Sequence, residues 1–73
     1  MKEQKISLRA ARVNANLTQE QVAKALNVTK KTIQNWEKGV TLPNIAQAAS
    51  LQELFRYPLT HIFFGSDSAE SET

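Results

Sequence analysis

Two short apolar periodicities separated by almost nothing set the tightest constraint on this chain. Val22, Ala23 and Leu26 make one helical stripe, and Ile33 and Trp36, three apart, make the next. Only Asn27 and Val28 lie between the end of the first segment and Thr29, which can cap the second. Two short helices joined by so tight a turn cannot lie antiparallel. They must cross steeply.

That crossing makes demands on the window 19–38, and the residues meet them. The fifth position must be small because two helix backbones approach there, and it is Ala23. The turn needs a residue that accepts positive φ, and Asn27 does so at modest cost. Val22, Leu26, Val28, Ile33 and Trp36 supply buried apolar contacts, while Lys30, Lys31, Gln34 and Asn35 between them are polar. Neither helix contains Pro or Gly. The expected arrangement is a helix-turn-helix.

The flanking sequence extends the helical reading. Ser7 can cap a first helix over 8–15 with Leu8, Ala11 and Ala15 on one side, and 14–16 breaks it. Thr18 and Gln21 match the Thr-x-x-Gln capping box of the second helix. The third runs over 30–38 and ends at Gly39. Asn44 can cap a fourth helix reaching residue 55, with Ile45, Ala48, Ala49, Leu51, Gln52 and Phe55 as its broad apolar face. Pro58 breaks the chain, and Thr60 is placed to cap a last turn carrying Ile62 and Phe63. The fold class is therefore all-α, a compact bundle of four to five helices. Residues 1–65 form one domain, and 66–73 read as an acidic, disordered tail.

Charge narrows the partner. The chain of 73 residues has nine Lys and Arg, all before residue 57, and a formal net charge of +2. Within 1–65 these nine face only Glu3, Glu20, Glu37 and Glu53, a net charge of +5. A basic body suits an anionic partner. With no cysteine, no disulfide or thiolate-bound metal is available, and His61 is the single histidine, so no metal or other cofactor is expected. No nucleophilic triad, paired carboxylates or phosphate-cradling glycine loop is present, which argues against an enzyme and against a small-molecule substrate. No leader or membrane span is evident either, so a cytoplasmic protein is expected. The lysines are not segregated opposite a lipid-facing stripe, which disfavours membrane binding.

The run Leu17-Thr18-Gln19-Glu20-Gln21-Val22-Ala23, then Trp36-Glu37-Lys38-Gly39 and Leu42-Pro43, resembles the Cro/phage-repressor (Xre-type) family of transcription regulators. The resemblance covers about residues 8–65, with Asn16 and Asn27 where members often carry Gly. It implies a DNA-binding bundle, commonly a homodimer on a palindromic double-stranded operator, here a phage or prophage repressor. It also implies roles. Gln19 matches a phosphate contact beside the groove, and Lys30, Lys31, Thr32 and Asn35 match recognition-helix positions that reach base edges. Thr29 caps that helix. Lys38 and Thr41 match phosphate-contacting positions, and Arg12 with Glu37 matches an ion pair tying the first helix to the third.

The chemistry agrees with these roles. Lys donates to guanine O6 and N7, and Asn pairs with adenine N6 and N7. Two lysines at a helix start are mildly unfavourable against its partial positive charge, so they make more sense facing phosphate or guanine. Trp36 is spaced from Ile33 for packing rather than for base stacking. Tyr57, Leu59, Ile62, Phe63 and Phe64 are more apolar than one short turn buries, so they close the core and leave Tyr57 and Phe64 for a second copy. The competing function is an antitoxin-like or adaptor module that grips a protein with the same fold.

Overall fold

The computed structural model describes residues 5–65, and each of its four helices begins at a side chain whose oxygen closes the first turn. A short strand β1 (Ile6–Ser7) leads into α1 (Leu8–Asn14), where Ser7 Oγ accepts from the Ala10 amide at 3.0 Å. In α2 (Gln19–Leu26) the capping box is complete: Thr18 Oγ1 accepts from the Gln21 amide at 3.0 Å, and the Thr18 amide donates to Gln21 Oε1 at 2.8 Å. Thr29 caps α3 (Lys30–Lys38), accepting from the Thr32 amide at 3.2 Å. Asn44 caps α4 (Ile45–Phe55) and forms a second capping box with Gln47. Satisfying the otherwise orphaned N-terminal amides in this way fixes where each helix starts.

The helix ends follow an equally local chemistry. Asn16, Asn27 and Gly39 adopt left-handed φ of 62°, 60° and 80°. At each, the next amide reaches back over the last turn: Leu17 to Arg12 O at 3.2 Å, Val28 to Ala23 O at 2.9 Å, and Val40 to Asn35 O at 2.9 Å. These are Schellman closures, which use carbonyls the helix leaves unpaired. The fourth end is Arg56, also left-handed at φ 55°. Nothing in an arginine announces that conformation.

Gly39 meets a demand that Asn27 does not. A Cβ on Gly39 would stand 3.1 Å from Gly65 Cα and 3.3 Å from Phe64 O, both backbone. Gly39→Ala is therefore expected to cost more than Asn27→Ala in urea unfolding. Both incur left-handed strain of about 1–2 kcal/mol, and only Gly39→Ala must also displace the C-terminal segment. Equal losses would show that the 39–65 approach carries no weight.

One core unites the elements. Leu8 and Ala11 of α1, Val22 and Ala23 of α2, Ile33 and Trp36 of α3, Leu51 and Phe55 of α4, and Ile62 form the buried cluster. Ala23 is 5% exposed where α2 meets α3, so a larger side chain there has no room. The all-α class holds, with four α-helices.

Three expectations are corrected. Thr60 caps nothing: a single 3-10 turn over Leu59–His61 has Pro58 at its N-cap position, with no side-chain cap bond. Ile62 and Phe63 are not helical but form β2 (Ile62–Phe63), parallel to β1 with Ile6 opposite Ile62 and Ser7 opposite Phe63. Ile45 is 89% exposed, and Ala49 and Gln52 are exposed too, so the buried face of α4 narrows to Leu51 and Phe55. The proposed acidic tail, 66–73, lies outside the described residues. No helix among the described residues is long and apolar enough to cross a membrane.

Candidate nucleic-acid interface

The polar side of α3 is held in place by a hydrogen-bonded chain through three helices. Arg12 Nε donates to Glu37 Oε2 at 2.6 Å, and Arg12 Nη1 donates to Leu17 O at 2.8 Å. The other oxygen of Glu37 accepts from Gln19 Nε2 at 3.0 Å. Gln19 Oε1 in turn lies 3.4 Å from Gln34 Nε2, a long contact. The two charged side chains are 12% and 7% exposed, so this pair is shielded, unlike a surface ion pair. α1, α2 and α3 are thereby tied at one point.

This chain changes how Gln19 is read. It begins α2, where a phosphate contact was expected, yet its amide is already engaged on both sides. The Nε2 group carries two hydrogens, and Glu37 uses one. The second remains available for an outside acceptor. Gln34 was read from the sequence only as a polar filler on α3. Its contact with Gln19 is fifteen residues away in the chain and leaves no local signal.

The other expected contact residues are brought to one surface. Lys30 and Lys31 occupy the first turn of α3 and Lys38 its last, all three exposed. Lys31 and Lys38 are seven residues apart, hence on one face and about 10 Å apart along the axis. Lys30 lies 3.9 Å from Glu20, an exposed pair that contributes little. Among the described residues neither Lys31 nor Lys38 has an acidic partner within 4 Å. Asn35 is partly buried between them in the chain, and its carbonyl accepts the Val40 amide that ends the helix. Thr41 is exposed on the loop beyond.

Thr29 and Thr32 are less free than the rest. Their hydroxyls lie 3.0 Å apart, and Thr29 also accepts the Thr32 amide. Both serve the helix start first. Tyr57 and Phe64 pack, partly buried, against the core, so little of either faces outward. Trp36 is 2% exposed and belongs to the core.

Among the described residues no three His, Cys, Asp or Glu cluster to hold a metal. Two surface depressions among the described residues lie beside Glu53 of α4, one of them also lined by Ala25 and Leu26 of α2, and neither is lined by an α3 lysine.

Comparison with known proteins agrees with this geometry. The chain is 32% identical over 60 residues to the HTH-type transcriptional activator BcrR of Enterococcus faecalis, an alignment that covers 82% of this chain. The same alignment spans only 29% of that relative's length. No solved structure matches the chain. The model of the helix-turn-helix family matches residues 8–62, from the start of α1 into β2, and the chain belongs to this Cro/C1-type helix-turn-helix family.

Proposed function

We propose that this protein binds duplex DNA sequence-specifically and regulates transcription, with α3 entering the major groove. The observation that carries the reading is the exposed Lys31 and Lys38 face of a helix that the Arg12–Glu37–Gln19 chain locks along its flank, with exposed Lys30 on the same flank as Glu37. A reading helix must be both basic and fixed in orientation, and here one helix is both. Lys31 and Asn35 take the base-edge positions, while Gln19, Lys38 and Thr41 grip phosphates on either side. Thr29 and Thr32 position the helix start, with the Thr32 methyl available to a thymine.

Two copies read half-sites about 34–36 Å apart, one helical turn. Val40, Leu42 and Ile45, 66%, 67% and 89% exposed on the segment after Lys38, are the most exposed large apolar residues among those described and support a homodimer contact there. The regulator is read as a phage- or prophage-type repressor acting in the cytoplasm, on the resemblance of its motifs. The relative BcrR is an activator by name, so the sign of regulation is a separate measurement.

Selection of bound sites from random duplexes, followed by salt titration on the winner, tests this. A recovered palindrome, bound by two chains, is expected. Its affinity should fall steeply with salt, by a slope of about 0.9 per phosphate neutralised on a logarithmic plot. A flat salt response, or stable co-purification of a protein with no DNA affinity, would replace this reading with a protein-gripping module.

A further inference from the structure

The described chain ends where α3 ends. Gly65 Cα sits 3.1 Å from the position a Gly39 Cβ would take, and a Cβ on Gly65 would lie 4.0 Å from Lys38 O. The next eight residues, 66–73, carry Asp67, Glu70 and Glu72 and no base. Acidic sequence therefore leaves the domain beside its most basic helix. We propose that segment 66–73 docks along the exposed face of α3 and competes there with DNA phosphates, a competition that rests on the DNA-binding reading above.

Reach permits this. At about 3.4 Å per residue, Asp67 lies within about 7 Å of the exit and Glu72 within about 24 Å. The nine residues of α3 span only about 13 Å. The segment can thus cover the helix from Lys38 to Lys30.

Electrostatics gives it a direction. The C-terminal end of α3 carries partial negative charge, which repels carboxylates at the exit, and the N-terminal end attracts them. Lys30 and Lys31 stand at that attractive end. The domain offers little to neutralise them otherwise: among the described residues Glu37 is committed to Arg12, and Glu20 is 3.9 Å from Lys30. Glu53 lies on α4, and no other acid is described. Tethering keeps the segment's local concentration near the millimolar range, so weak pairs suffice for partial occupancy. DNA, with many more charges, displaces it.

The chain has no cysteine, so Ser71→Cys accepts a single nitroxide label. In the free 73-residue chain at low salt, amide broadening should be strongest along residues 30–38. It should fade at high salt, on adding duplex DNA, and when Asp67→Asn, Glu70→Gln and Glu72→Gln are combined. Broadening confined to residues 59–65, spread evenly over α1 and α4, or indifferent to salt would overturn the docking. The neutralised triple variant should bind random duplex about three- to tenfold tighter at low salt and equally at high salt. Unchanged low-salt affinity would overturn the competition. Should neither protein bind DNA while the label still marks α3, docking stands and the DNA reading fails.

Discussion

Replacing Arg12 with alanine is expected to unfold this domain or leave it barely stable. Glu37 is 8% exposed and relies on Arg12 Nε at 2.6 Å, with Gln19 Nε2 as its second donor. Removing the arginine strands a buried carboxylate and frees Leu17 O, which costs about 3–5 kcal/mol. A core of this size rarely supplies more than about 3–5 kcal/mol in total. The loss therefore equals the whole margin, and urea unfolding should show little or no native baseline.

Replacing both partners should behave differently. Arg12→Met combined with Glu37→Met leaves no unpaired charge, and such swaps are often neutral or stabilising by about 1–4 kcal/mol. The doubly substituted protein should fold. It should nevertheless bind DNA at least roughly tenfold more weakly, because Gln19 loses the acceptor that aims it and α3 loses its tie to α1. Wild-type DNA affinity in that variant would show that the pair merely holds the fold.

Much of the fold was legible because its signals are local. Thr18 with Gln21, Asn27 and Gly39 each act through hydrogen bonds within six residues, so the sequence window contains both partners. Arg56 is the local exception, left-handed without a side chain that favours it. The β1–β2 pairing was invisible for the opposite reason: Ile6 meets Ile62 across the length of the domain, and two-residue strands show no alternation. Ile45 misled because α4 is rich in apolar residues around its circumference, and only packing decides which face is buried.

The interface divides the same way. Exposed lysines on α3 follow from helical spacing against Ile33 and Trp36. The Gln34 to Gln19 to Glu37 connection does not, because three polar side chains on two helices look solvated until the helices cross. The resemblance placed Arg12 and Glu37 in the motif; the atoms show that Gln19 completes their contact. A residue expected to face phosphate is also part of the scaffold.

Lys31→Ala should then change what the protein reads more than how tightly it holds DNA in general. Lys31 is exposed in the first turn of α3 and has no acid within 4 Å among the described residues, whereas Lys30 has Glu20 at 3.9 Å. A lysine donating to guanine O6 and N7 contributes enough that its loss should weaken the selected site roughly ten- to a hundredfold. Affinity for random duplex should change little, and preference at one base pair per half-site should relax. Lys38→Ala supplies the contrast. On the proposed reading it grips phosphate at the far end of the helix, so its loss should weaken all sequences alike and lower the salt slope by about 1 per chain. Repeating the site selection with both variants separates the roles. If Lys31→Ala weakens every duplex equally and lowers the slope as Lys38→Ala does, then Lys31 is a phosphate contact, and base reading passes to Asn35 and the Thr32 methyl.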